Sequence, residues 1–195
     1  MKRYVFLIVM LALCLAGIGG TYANTAVSSK AHNIITSGGV KIAVEEWKRI
    51  GETMIPYPGE PVAVMPGYRV SKIATVRNLN KACYVRARIE ASVFDAQGKA
   101  YPLSQHDITK LFQPDINKTY WQKKGEDDGW WYYYQILSEA AVTEPLFESL
   151  VFAGKEMGND YQGCSIQIHV SAQAVQSDNN AASAMSAVGW TEKQE

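Results

Sequence analysis

Two stretches of strict alternation constrain this chain more than anything else in it. From Cys83 to Val93, Cys83, Val85, Ala87, Ile89, Ala91 and Val93 fall on one side of an extended chain and Tyr84, Arg86, Arg88, Glu90 and Ser92 on the other. From Cys164 to Ala174, Cys164, Ile166, Ile168, Val170, Ala172 and Ala174 alternate in the same way with Ser165, Gln167, His169, Ser171 and Gln173. A period of two is the signature of a strand with one buried face. Two such strands need a second layer to cover that face.

The remaining segments supply it. Val40 to Trp47 carries Val40, Ile42 and Val44 against Lys41, Ala43 and Glu45, a further half-buried strand. Pro56, Pro58, Gly59, Pro61, Pro66 and Gly67 then make a loop-rich stretch, because proline has no donor for a sheet ladder. A strand over Tyr68 to Asn78 follows. Leu103 to Ile116 has Asp107, Ile108, Leu111 and Phe112 at helical spacing, with Ser104 as an N-cap, and predicts a short helical connection. Trp130 to Leu137 is dense in β-favouring aromatics behind the turn-like Gly125 to Gly129 and predicts another strand. Pro145 to Ala153 is a further apolar segment, and the alanine-rich Asp178 to Trp190 is compatible with a short helix. No repeat of fixed period is present. Short strands with little sustained helix predict an all-β fold, an antiparallel β-sandwich of jelly-roll type with short helical connections.

The N terminus sets the expected compartment. Lys2 and Arg3 precede an apolar run from Tyr4 to Ile18, and Gly19, Gly20, Thr21, Tyr22 and Ala23 close it with mostly small side chains. This is the pattern of an export signal, too short at about 15 apolar residues for the roughly 20 that span a bilayer. Cleavage between Ala23 and Asn24 would leave 172 of the 195 residues, enough for one domain with a sizeable core. The expected organisation is a signal peptide over 1–23, an N-terminal arm over 24–39, the sandwich over 40–177 and a tail over 178–195. Contact with a membrane is expected only through the uncleaved signal. Lys plus Arg equals Asp plus Glu at 19 each, so charge gives no footprint for nucleic acid.

Chemistry is harder to find. No Ser or Cys nucleophile stands out with a base, and His32, His106 and His169 lack the HExxH spacing that sets two ligands on one helix face. No cofactor is expected. The acidic Glu126, Asp127 and Asp128 lack the regular Asp spacing of a calcium loop and read as a solvated turn. Of the aromatic run, Trp130, Tyr132, Tyr134 and Ile136 share one face and Trp131, Tyr133 and Leu137 the other. At least one face must pack in a core, and the other is free to stack on a glycan or a neighbouring protein. Cys14 lies within the signal, so Cys83 and Cys164 are the two thiols left. Both sit on apolar faces. If their strands face each other across the sandwich they are candidates for one disulfide in an exported chain, and otherwise they are buried free thiols.

Several short motifs follow one another along the chain: Thr21-Tyr22-Ala23, Ser37-Gly38-Gly39-Val40, Met65-Pro66-Gly67 before Val76-Arg77-Asn78, and the strand from Ala82 to Glu90. They continue with Asp128-Gly129-Trp130, Pro145-Leu146-Phe147, Tyr161-Gln162-Gly163-Cys164-Ser165-Ile166 and Ala174-Val175-Gln176. In this order the chain resembles the TasA and camelysin (CalY) family of secreted bacterial proteins. The resemblance implies export through a SipW-type signal peptidase and a jelly-roll subunit of extracellular matrix or cell-surface fibres in a bacterial biofilm. It also implies polymerisation, with itself or with a related matrix subunit, by donation of the N-terminal arm to the next subunit. The arm, with Val27, Ile34 and Ile35 as its apolar anchors, has the composition for adding as a strand to a sheet edge. An arm that is merely disordered or folded back on its own domain is the alternative. Camelysin members are described as metallopeptidases, an activity for which no ligands are assignable by position here, and the two cysteines depart from the fibre-forming pattern.

Overall fold

The structure is a computed structural model that describes residues 34–35, 39–59, 62–63, 66–101, 103, 107, 110–125, 128–154, 161 and 163–191. The expected signal peptide, its Ala23–Asn24 junction, Val27, His32 and His106 lie outside the described residues, as do Ser104, Glu126 and Asp127.

The alternating segments form the strands they predict. In chain order these are β1 (Ile34–Ile35), β2 (Lys41–Ile50), β3 (Thr53–Pro56), β4 (Val62–Ala63), β5 (Arg69–Asn78) and β6 (Cys83–Phe94). Then come β7 (Phe112–Pro114), β8 (Trp121–Lys123), β9 (Trp131–Tyr133), β10 (Phe147–Phe152) and β11 (Ser165–Gln176). One sheet has the order β1-β2-β5-β10-β7, with β3 also paired to β2, and the second has the order β4-β11-β6-β9-β8. Every ladder is antiparallel. The chain passes repeatedly from one sheet to the other, β2 to β4 to β5 to β6 and later β9 to β10 to β11, which is jelly-roll connectivity.

Between the sheets lies one apolar layer. Val40, Ile42 and Val44 approach it from β2 and its lead-in, Ala74 and Val76 from β5, Leu150 and Phe152 from β10, and Val85, Ala87, Ile166 and Val170 from the opposite sheet. Burying such side chains is worth roughly 1.5–3 kcal/mol each. Polar groups that enter the layer are satisfied. Buried Asn78 donates from Nδ2 to the carbonyls of Lys81, Leu137 and Ser138 at 2.8–2.9 Å. Trp121, fully buried, donates from Nε1 to the Glu144 carbonyl at 3.0 Å.

Four expectations are narrowed or corrected. The helical connection expected over Leu103 to Ile116 is cut short: helical backbone is described at Asp107, Lys110 and Leu111, and Phe112 already belongs to β7. Pairing of β7 with β10 decides this, since Phe112 lies opposite Phe152 and inside the core. The aromatic strand is regular only over Trp131–Tyr133, and Leu137 returns as an isolated bridge to Cys83. The tail forms turns rather than a helix over 178–191.

The cysteine bridge is the fourth. β6 and β11 are neighbours in one sheet, paired over their full lengths from Ser165↔Phe94 to Gln176↔Cys83, and do not face each other across the sandwich. Cys83 therefore sits at one end of this ladder and Cys164 beyond the other, roughly 40 Å apart at about 3.3 Å per residue. Neither cysteine is in a disulfide, and both are buried.

Candidate functional site

The outer edge of β2 is the place where the N-terminal arm meets the domain. Ile34 pairs with Ile42 and Ile35 with Lys41, so the two anchors expected to donate a strand do form one, on their own chain. Further along the same edge β3 pairs with Trp47 to Ile50, and the Tyr57 amide donates to the Glu46 carbonyl. Between them, residues 43–45 have no strand partner on this side among the described residues.

The point from which the arm departs is fixed. Asn80 accepts from the Lys41 amide through Oδ1 at 2.8 Å and donates through Nδ2 to the Gly39 carbonyl. Gly39 has φ +76°, a conformation other residues resist. Side chains then lock β2 to its inner neighbour. Glu45 holds Arg77 in a two-pronged ion pair, and Glu46 pairs with Lys72 at 2.7 Å. The Lys72 ammonium is 2 % exposed at the end of the sandwich and lies 4.0 Å from the Tyr57 ring centre. Burial pulls its pKa down from the ordinary lysine value, against the opposing pull of Glu46. This buried cation was missed in the sequence because a lysine in a strand ordinarily reads as solvated.

The outer face of the second sheet is a different site. The side chains of Tyr84 and Arg86, expected in solvent from the alternation, are buried by the tail. Tyr84, Trp130, Tyr132 and Val175 form a second apolar cluster with Ala184 and Ala187, with Met185 and Trp190 packed against it. Arg86 lies between the Trp130 and Trp190 rings, 4.3 and 4.7 Å from their centres. It donates to Gln173 Oε1 at 2.7 and 3.0 Å, to the Tyr132 hydroxyl at 3.2 Å and to the Thr191 carbonyl at 3.2 Å. The Tyr132 hydroxyl in turn donates to Asp128 at 2.9 Å. Asp128, the described member of the acidic loop, is thus a structural acceptor that also receives the Trp130 amide at 2.9 Å.

Both faces of the aromatic run are consequently used. Tyr133 and Leu137 are in the inter-sheet core and Trp131 packs against it, Trp130 and Tyr132 are under the tail, and Tyr134 and Ile136 remain exposed.

At the opposite margin of the sandwich from β1, where β7 approaches β8 and β9, a cavity of about 460 Å³ opens. Ile89, Phe112, Pro114, Ile116 and Trp131 line it, with Gln113, Lys118, Lys123 and Gly129. Lys123 Nζ lies 5.1 Å from the Trp131 ring centre. His169 is exposed on the outer face of β11. Among the described residues no group of three or more His, Cys, Asp or Glu side chains is placed to hold a metal ion.

No family of known sequences, no curated protein and no solved structure matches the chain.

Proposed function

We propose that the chain is a secreted structural protein, a subunit of extracellular matrix or cell-surface fibres of a bacterial biofilm that assembles by exchange of its N-terminal strand, without catalysis. In this reading a SipW-type peptidase releases the arm at Asn24, and the partner is a second copy or a related matrix subunit. One observation carries the reading: β1 is a two-residue strand seated on the outer edge of β2 in its own domain. A strand held so briefly is exchangeable, because the same pairing made by a neighbour's arm recovers the same contacts, and only the hinge conformation differs. The open stretch at 43–45 gives an incoming strand further backbone groups to pair with. The Asn80 clamp on Gly39 and Lys41 keeps β2 in place whichever arm occupies it.

The test compares protein beginning at Asn24 with protein beginning at Gly38, by electron microscopy and sedimentation. Filaments from the first and folded monomers from the second are expected. A second measurement mixes Ile35→Cys with Lys41→Cys chains under oxidation. Because the two positions are paired, a covalent dimer is expected from exchange. Absence of both filaments and mixed dimers would sink the proposal.

A further inference from the structure

The β2–β3 hairpin is built as a projection. Ile50 pairs with Thr53 across the two-residue loop Gly51-Glu52, and Gly51 has φ +60°, which suits a tight hairpin of the type that matches strand twist. All four residues of β3 are exposed. So are the large apolar side chains at the tip, Ile50 at 56 %, Met54 at 46 % and Ile55 at 37 %. Cross-strand pairing puts Ile50 and Ile55 on one face and Met54 on the other, with Glu52 at the apex. Three exposed aliphatic residues on one turn of hairpin, rather than scattered singly, mark a contact surface.

The cavity at the β7 and β8 margin has the complementary character. Its apolar lining of Ile89, Phe112, Pro114, Ile116 and Trp131 carries two cations, Lys118 and Lys123, and neither makes an ion pair among the described residues. Its volume of about 460 Å³ lies within the range that receives a bound group, about 300–1,000 Å³. β7 lies three strands from β2 in its sheet, roughly 14 Å at about 4.8 Å per strand, so the hairpin tip and the cavity sit at opposite margins of that sheet.

We infer that the cavity receives the hairpin tip of a second copy of this chain, Met54 and the two isoleucines against its apolar lining and Glu52 toward Lys118 and Lys123. Knob and hole on opposite margins make a head-to-tail contact that does not close on itself, the kind that propagates a filament. The inference deepens the proposed function and rests on it for one point. That point is self-assembly: the arm pairs at Lys41 and Ile42 and the hairpin tip begins further along at Ile50, roughly 26 Å away at about 3.3 Å per residue, so one β2 can engage both contacts at once.

The experiment uses the chain from Asn24 and reads the concentration needed for assembly, by sedimentation and electron microscopy. Glu52→Lys, and separately Lys118→Glu with Lys123→Glu, are each expected to raise it at least tenfold, with melting temperature unchanged because all three side chains are exposed. All three changes in one chain are expected to restore assembly, and so is an equimolar mixture of the two defective proteins, since each tip is then complementary to the other protein's cavity and the two alternate along a filament. Assembly unmoved by either reversal, or no recovery in the combined variant, overturns the hairpin contact. If removal of residues 24–37 abolishes filaments while the reversals do nothing, the arm reading stands alone. If the reversals act and arm removal does not, the hairpin contact stands and arm exchange falls. A chain that stays monomeric throughout overturns both.

Discussion

The two ends of the described fold are attached to the sandwich by unlike means. The N-terminal arm reaches it through two residue pairs on the edge of β2. The C-terminal tail is fastened to the outer face of the other sheet by a buried arginine between two tryptophan rings, four hydrogen bonds to that arginine and a small apolar cluster. The difference is one of surface removed from water. Backbone pairing at an exposed edge exchanges hydrogen bonds to water for hydrogen bonds to protein and gains about 0.5–1.5 kcal/mol each, whereas the tail hides aromatic area that only burial makes favourable. One terminus is therefore suited to exchange and the other to closure.

The largest expected effect comes from breaking the tail. Ending the chain after Ser177 exposes Tyr84, Trp130, Tyr132 and Val175 together, and a loss of about 5 kcal/mol is expected from the area alone. Arg86→Ala keeps the tail but removes the donor to Gln173 Oε1 and to the Tyr132 hydroxyl and leaves the Thr191 carbonyl only its bond from Gln173, at a cost of about 3 kcal/mol. At this chain length that lowers the melting temperature by roughly 6–12 °C in a thermal scan. Arg86→Lys retains charge but not the planar fork, and about half that loss is expected. Equal melting temperatures for the wild type and Arg86→Ala would show that the clasp is incidental.

Next is the ion pair that anchors β2 from inside. Glu46→Ala leaves the Lys72 ammonium buried without its carboxylate, a change that costs about 3–5 kcal/mol where the charge cannot escape. Because burial already lowers the Lys72 pKa, the folded chain gives up this proton at lower pH than the unfolded chain. Stability of the Glu46→Ala variant is therefore expected to rise with pH through the window below 10.5, the ordinary lysine value. Urea titrations at several pH values check the sign. Deleting residues 24–37, by contrast, removes two ladder pairs and should cost about 1 kcal/mol, while abolishing filaments. A large stability loss on arm deletion would erase the contrast between the two termini.

How far this contrast was legible in sequence depends on what a period of two reports. Alternation identifies the buried face of β2, β6 and β11 and so the sandwich, but it does not say which strands are neighbours. That is why Cys83 and Cys164 looked able to meet, although β6 and β11 lie side by side with the two thiols at opposite ends. Nor does alternation register a third layer. Arg86 and Tyr84 occupy outward positions, and only the packing of residues 178–191 turns that face into an interior. Ile34 and Ile35 read as anchors of an arm, and they pair with β2 of their own chain as in the folded-back alternative, whereas the hairpin tip and the Lys118 and Lys123 cavity come from elements too far apart in sequence to be read together.

The smallest effect at neutral pH, and the one that sharpens the comparison at its chemical level, is alkaline. Burial raises the Cys83 thiol from 9.0 to about 12, and it also raises Cys164, Tyr132 and Tyr133. Each of these groups holds its proton longer in the folded chain than in the unfolded one. Their contribution to stability is therefore complete below the unfolded values and declines as pH climbs toward the folded ones. Cys83 alone removes up to about 1.4 kcal/mol per pH unit between 9 and about 12. Cys83→Ala is expected to flatten that slope, while Cys164→Ala, whose thiol lies at the far end of the same ladder, leaves Cys83's share intact. Two titratable thiols in denaturant and slow alkylation in buffer accompany this pattern, because both cysteines are buried and outside any disulfide. Rapid labelling of Cys83 at pH 8 would mean that the end of β6 opens far more often than the ladder to β11 and the bridge to Leu137 allow, and the tail-bearing sheet would then lose its standing as the closed half of the molecule.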